Sequence, residues 1–303
     1  MVGIIYMEEV VIYVPRKIEN DIQGFEFLIK LYTTLKETRC KRITIDFNKT
    51  RWLEANLSAV LGVILEVGVN NNNKITIKRI SKSISRILIK NEFFKSLGIE
   101  IELKDLYETT IRYAIFKKDD KIEFQEYLKK EFIPKLNLAM SDEFAKELRG
   151  NFEEVFQNAR IHGQCDNIHV CGQYFYSNER VKFTIVDIGR TIHQNYTKYF
   201  DANISDEDAI DWATKDGSST KDRDETGGIG LFQLREFIKE NGGKIQIISS
   251  KGYWEETCGE KVLHKYDYSF DGTIVNIEVD VNKKMYLSKR EITEVYEEID
   301  NIF

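Results

Sequence analysis

The chain has 303 residues and a formal net charge of −6, with 42% of residues hydrophobic and 31% charged. That length accommodates two ordinary domains, each with its own core, and the composition excludes a disordered chain. Acids and bases are interspersed, which argues against a nucleic-acid backbone as the main partner. The four cysteines, Cys40, Cys165, Cys171 and Cys258, form no Cys-x-x-Cys pair. The spacing of Cys165, His169 and Cys171 suits no common zinc site, so reduced and mostly buried thiols are expected. No basic stretch followed by an apolar one opens the chain. The longest apolar run, residues 57–69, is shorter than the roughly 20 residues that cross a bilayer. A cytoplasmic protein without a membrane partner is therefore expected.

In chain order, residues 9–15 (EVVIYVP) read as a strand and 21–37 as a helix with Phe25, Leu28, Leu31, Tyr32 and Leu35 on one face. A second strand at 42–47 (RITIDF) and a second helix at 55–69 follow. Asn70, Asn71, Asn72 and Asn73 make a turn into a third strand, 74–80, and a third helix covers 83–97 up to Gly98. Strand and helix alternating in this way predict an α/β unit over residues 1–118. The polar 119–121 segment marks the boundary to a second domain, 119–282.

That second part opens with helices at 122–136 and 142–161. Two strands, 167–176 and 180–186, are joined by a turn at Ser177 and Asn178. A polar region, 189–228, leads to a helix at 231–240 and the Gly242-Gly243 stop. A strand at 244–250, a loop and a last strand at 272–281 complete the domain. Helices followed by strands predict a helical layer on a mixed sheet. Residues 286–302 form an amphipathic helix candidate that packs either on its own domain, the commoner arrangement, or on a second copy in a homodimer.

Three patches carry chemistry. Glu154 and Asn158 lie four apart on a helix and so share a face. A carboxylate beside a neutral oxygen donor suits a water and a hard cation such as Mg²⁺. Asp187 ends an apolar strand, where an acid can accept from an exocyclic amino group, and Gly189 permits close approach of a flat ring. Thr226-Gly227-Gly228-Ile229-Gly230-Leu231 leads into a helix start, a geometry that suits phosphates. Taken singly, each has a plainer reading as surface, turn or N-cap. No Gly-Lys-Ser/Thr follows the glycines, and the cluster follows a long polar loop, so neither a Walker A loop nor a dinucleotide fold fits.

In this order the three patches resemble the N, G1 and G2 boxes of the gyrase, heat-shock chaperone, histidine-kinase and MutL (GHKL) ATPases, a two-layer α/β sandwich of the Bergerat type. The segment from Asp216 through Ser218, Ser219 and Thr220 to Lys221 sits where these families carry a Ser-Thr-rich part of the ATP lid. Asp271-Gly272-Thr273 sits where they place a Gly-Thr before the last strand. The resemblance spans residues 122–281 and implies ATP and Mg²⁺ as ligands. It implies that Asn158 ligates Mg²⁺ and that Glu154 orients or deprotonates the attacking group. It further implies that Asp187 holds the adenine amino group with Gly189 and Thr273 beside it. Gly228 and Gly230, before Leu231, would cradle phosphates, and residues 190–226 would form the lid with cations such as Lys221. His162 would make a structural contact near the nucleotide.

The first unit, with Ile43 to Phe47 leading through Trp52-Leu53-Glu54-Ala55-Asn56 into a helix, resembles a STAS domain of the anti-anti-sigma type. Asn56 stands where that family carries a phosphorylatable serine, with Ser58 two residues on, and is expected as a helix N-cap. The two resemblances together imply an ATP-driven conformational switch acting on a protein partner. The alternative is an anti-sigma-type protein serine/threonine kinase. A sensor histidine kinase fits less well, because His162, His169, His193 and His264 all fall outside the first unit.

Overall fold

Strands β1 (Glu9–Tyr13), β3 (Arg42–Asp46) and β5 (Lys74–Lys78) pair in parallel in the order β1-β3-β5 in the computed structural model, which describes residues 8–218 and 230–282. A separate parallel pair joins β2 (Lys17–Ile18) to β4 (Trp52–Leu53). Parallel neighbours need crossover connections, and α1 (Ile22–Glu37) and α2 (Ser58–Asn70) supply them. The Asp21 side chain caps α1 by accepting the Gly24 N–H at 2.7 Å. The asparagine turn is present as expected. Asn71 donates to the Leu35 and Lys36 carbonyls and Asn73 to that of Thr38, which ties the turn to the end of α1. The helix expected at 83–97 is two pieces, α3 (Lys82–Lys90) and α4 (Phe93–Ser96). Glu92 between them takes a left-handed φ of 62°, which no α-helix continues through.

The second sheet is antiparallel throughout, in the order β6-β7-β8-β10-β9. Its strands are β6 (Thr110–Lys117), β7 (Asn167–Phe175), β8 (Arg180–Ile188), β9 (Lys244–Thr257) and β10 (Glu260–Asp280). Strand β6 lies before the expected boundary at 118, yet it pairs with β7. The loop expected between 251 and 271 is instead a long β9–β10 hairpin whose turn holds Cys258 and Gly259, both at positive φ. Cys40 and Cys258 are exposed and only Cys165 and Cys171 are buried, so the expectation of mostly buried thiols holds for two of the four.

Side-chain alternation gives the sheet two covered faces. Phe183, Ile185, Ile247, Val275 and Ile277 point into a core shared with α5 (Lys121–Tyr127), α6 (Ile133–Leu136), α7 (Asp142–Asn158) and α10 (Gly230–Asn241). Their neighbours of opposite alternation, Val186, Ile248 and Ile274, share the other core with α1 and α2. Helix α2 is buried without interruption from Ser58 to Leu65. A helix that is apolar all round must be covered all round, and α2 lies against α1 on one side and β7 and β8 on another. Gly62 makes this fit, because a Cβ there would come within 2.2 Å of the Tyr113 hydroxyl. Among the described residues no helix is long and apolar enough to cross a membrane.

Polar side chains cross the junction between the first unit and the sheet. The Asn56 amide nitrogen donates within 3.0 Å of Asn20 Oδ1, Thr184 Oγ1 and Asn276 Oδ1. Asn276 donates on to Gln246 Oε1 at 2.7 Å, and Gln246 to the Asn20 carbonyl at 3.0 Å. Lys182 reaches Glu54 at 2.7 Å and Glu278 at 3.3 Å. The expectation that Asn56 caps a helix is therefore corrected. The chain enters α2 through a tight turn, Ala55–Leu57, position Leu57 is the cap, and no side-chain cap bond forms. The fully buried Asn56 amide finds its partners across the junction instead.

Candidate functional site

Helix α7 begins with the Ser141 hydroxyl accepting the Phe144 N–H at 3.0 Å and carries Asp142 and Glu143 in its first turn. These acids complement the positive end of its dipole. Its far end is Asn158, and a wide π turn, Ala159–Gly163, follows directly. Such turns recur at functional sites because they re-aim the chain. Here the turn runs alongside the end of β8, where the β7–β8 hairpin delivers Asp187.

Three glycines permit the backbones around Asp187 to converge. A Cβ at Gly163 would lie 2.9 Å from Asp187 Oδ1, and one at Gly272 would lie 2.0 Å from the Asp187 carbonyl. A Cβ at Gly189 would meet the Gly163 carbonyl at 2.1 Å. Gly189 thus seats the π turn. Its N–H donates to the Asp271 carbonyl at 3.0 Å, and the Arg190 N–H donates to that of Gly163 at 2.6 Å.

Asp187 is 3% exposed, and its Oδ1 has no hydrogen-bond partner among the described residues. Burial pushes its carboxyl up to about 8, with the backbone N–H of Thr273 pulling the other way. An orphaned buried carboxyl oxygen is costly. Asp187 lines a cavity walled by Val155, Ala159, Ile185, Ile247 and Val275, with Asn158, His162, Arg190, Asn195, Leu231 and Thr273 also lining it. A cavity with aliphatic walls and a buried carboxyl in its lining suits a flat heterocycle that presents an amino group.

Asn158, Asp187, Leu231 and Thr273 therefore meet in one cavity. The Thr273 hydroxyl lies 3.3 Å from that of Ser249, so its link to the acid runs through backbone. Glu154 is half-buried one turn before Asn158 and does not line the cavity. Gly230 begins α10. Thr220, Lys221 and Gly228 lie outside the described residues, as does the helix expected at 286–302. Among the described residues no group of three or more His, Cys, Asp or Glu could hold a metal. A cation at Asn158 would have to complete its shell with waters and a ligand's phosphates, which is how Mg²⁺ is commonly held.

The region expected as a continuous lid holds two helices, α8 (Ile192–Phe200) and α9 (Asp206–Ala213). They bring Ile192, Asn195 and Trp212 to the cavity, none of them anticipated. Their starts were readable. Thr191 and Gln194 form a reciprocal capping box, and Ser205 precedes Asp206, Glu207 and Asp208. No protein-family model matches the chain, and no curated protein matches it.

Proposed function

We propose that the chain is an ATP- and Mg²⁺-binding regulatory protein of the GHKL type, in which nucleotide drives a conformational switch acting on a protein partner. The observation that carries the reading is the buried Asp187, one carboxyl oxygen of which has no partner among the described residues, in the lining of a cavity with aliphatic walls. Adenine's amino group supplies the missing donor, and aliphatic walls cover its ring. The antiparallel sheet backed by α7 and α10 is compatible with a Bergerat-type sandwich, and the β1–β3–β5 unit with a STAS-like domain. Asn158 would hold Mg²⁺, which neutralises charge on the phosphates when bound.

Coupling to a partner has a physical route. Strands β8 and β10 carry Asp187 and Thr273 on the cavity side, and Thr184 and Asn276 in the junction with the first unit. Movement at the site is thereby felt at the junction. Transfer of phosphate to Ser58 is disfavoured, because that hydroxyl is fully buried and accepts from Asn91 at 3.1 Å.

The test is calorimetric titration of ADP and a non-hydrolysable ATP analogue, with Mg²⁺, into wild type and Asp187→Ala. Binding to wild type that is lost in the variant is expected. No binding to wild type would end the nucleotide reading.

A further inference from the structure

Trp212 is half-buried, on the cavity wall built by α8 and α9. Among the described lining residues it is the one large aromatic; His162 contributes the only other ring. The sheet and α7 contribute the aliphatic Val155, Ile185, Ile247 and Val275 beside the polar Asn158, Asp187 and Thr273. A flat base entering with its amino edge toward Asp187 has two faces to cover, and aliphatic side chains supply one of them.

The ring is fixed in advance of any ligand. Tyr196 and Phe200 of α8 meet it nearly at right angles, at 78° and 84°, with centroids 5.1 and 5.2 Å away. Edge-to-face contacts of this kind hold ring orientation. Helix α9 is itself anchored to the β9–β10 hairpin through the next residue along, Asp211. That carboxylate accepts from Trp254 Nε1 at 3.0 Å and from Lys261 at 2.7 Å, and Lys215 pairs with it at 3.0 Å. Burial alone would raise the Asp211 carboxyl, but these donors outweigh it and hold it well below the usual carboxylate range. At the end of α9, Arg235 of α10 donates to the Thr214 carbonyl at 3.4 Å while also pairing with Glu256. A solvent-facing tryptophan would not need so much support.

We infer that Trp212 is the stacking residue of this site, laid against the base of a purine nucleotide and favouring purines over the smaller pyrimidines. The inference rests on the nucleotide reading above and adds to it the residue that covers one face of the base.

The experiment titrates ADP and CDP, with Mg²⁺, into wild type, Trp212→Phe and Trp212→Ala. Calorimetry gives the affinities and tryptophan emission gives the contact. Base stacking on an aromatic ring predicts an ADP affinity lower by about tenfold or more in Trp212→Ala. The preference for ADP over CDP shrinks with it. Trp212→Phe keeps a flat ring and restores most of the affinity, but the emission change seen in wild type disappears. That loss assigns the signal to Trp212 rather than to Trp52 or Trp254. ADP binding to Trp212→Ala with wild-type affinity, or an emission change surviving in Trp212→Phe, overturns the inference and leaves the nucleotide reading standing. Absence of calorimetric binding to wild type removes both.

Discussion

Strand β8 borders two polar regions that differ in one respect. On the side of the first unit, Lys182 and Thr184 enter a network in which Asn20, Glu54, Asn56, Gln246 and Asn276 satisfy one another. On the other side Asp187, three residues along from Thr184, is as deeply buried and keeps an oxygen with no partner among the described residues. Residue type does not separate the two regions, since both bury carboxylates among apolar neighbours. Satisfaction does. A closed network specifies how two units fit, whereas an open acceptor in a cavity specifies something that is to arrive.

The sharpest way to break this comparison is to open the closed side. Glu54 accepts from Lys182 and, through Oε2, from the Asn20 backbone at 2.9 Å. Burial of Lys182 would otherwise depress its ammonium, but Glu54 and Glu278 together hold it above the usual lysine range. Glu54→Ala leaves a buried ammonium with Glu278 alone and exposes two donors. Breaking a buried pair from one side costs about 3 kcal/mol or more, so a large fall in the urea midpoint is expected. A change within the error of the midpoint would mean that water already reaches the junction.

Closing the open side works in the reverse direction. The Asp187 carboxyl titrates near 3.8 when unfolded and is pushed up to about 8 in the folded protein. A raised folded pKa on an acid gives stability that is fully present below the unfolded value and is lost as pH rises through the folded one. The ligand-free protein should therefore lose about 1.4 kcal/mol per pH unit from this group between the two values. Asp187→Asn removes that slope, so its melting temperature should exceed that of wild type near pH 8 and converge with it near pH 4. Parallel melting curves across this range would show that the carboxyl is charged and solvated.

Asn56→Ala tests whether the two sides are separable. It removes the donor that Asn20, Thr184 and Asn276 share, while the 2.8 Å bond from Thr184 to Asn276 remains, so the cost should be about 1 kcal/mol. Because coupling between two sites is reciprocal, the proposed switch expects ADP affinity under native conditions to fall several-fold. A change of less than twofold would show that β8 and β10 keep their positions without the junction, and would count against the switch.

Much of this fold is legible in the sequence, and the illegible parts have identifiable causes. The alternation in β3 and β5 and the glycine stop after α10 are local signals, and they place their elements to within a few residues. The run from Ser58 to Leu65 reads as helix, but nothing local says that a second sheet will cover it. Strand β6 escaped notice because its partner β7 is some fifty residues away, beyond a polar segment that looks like a boundary. The β9–β10 hairpin was hidden by its turn, since Cys258 takes a positive φ that Asn or Gly ordinarily supplies. At the site, Asn158 and Asp187 were identifiable as residue types in order. The open valence of Asp187, the three glycine contacts and Trp212 are properties of packing and could not be read in one dimension.

The smallest expected effect tests a strap between the two regions. Lys36, near the end of α1, pairs with the Asp271 carboxylate, while the Asp271 carbonyl holds the Gly189 N–H behind Asp187. The next ring along α1, Tyr32, lies 4.8 Å from Phe270. Both partners of the ion pair are well exposed, at 47% and 40%, so Lys36→Ala should cost no more than about 1 kcal/mol of stability. If ADP affinity changes no more than that, the first unit braces the sheet without addressing the site. If affinity falls several-fold while the melting temperature holds, α1 acts on the cavity through Asp271, and one surface contact joins the closed side of the sheet to the open one.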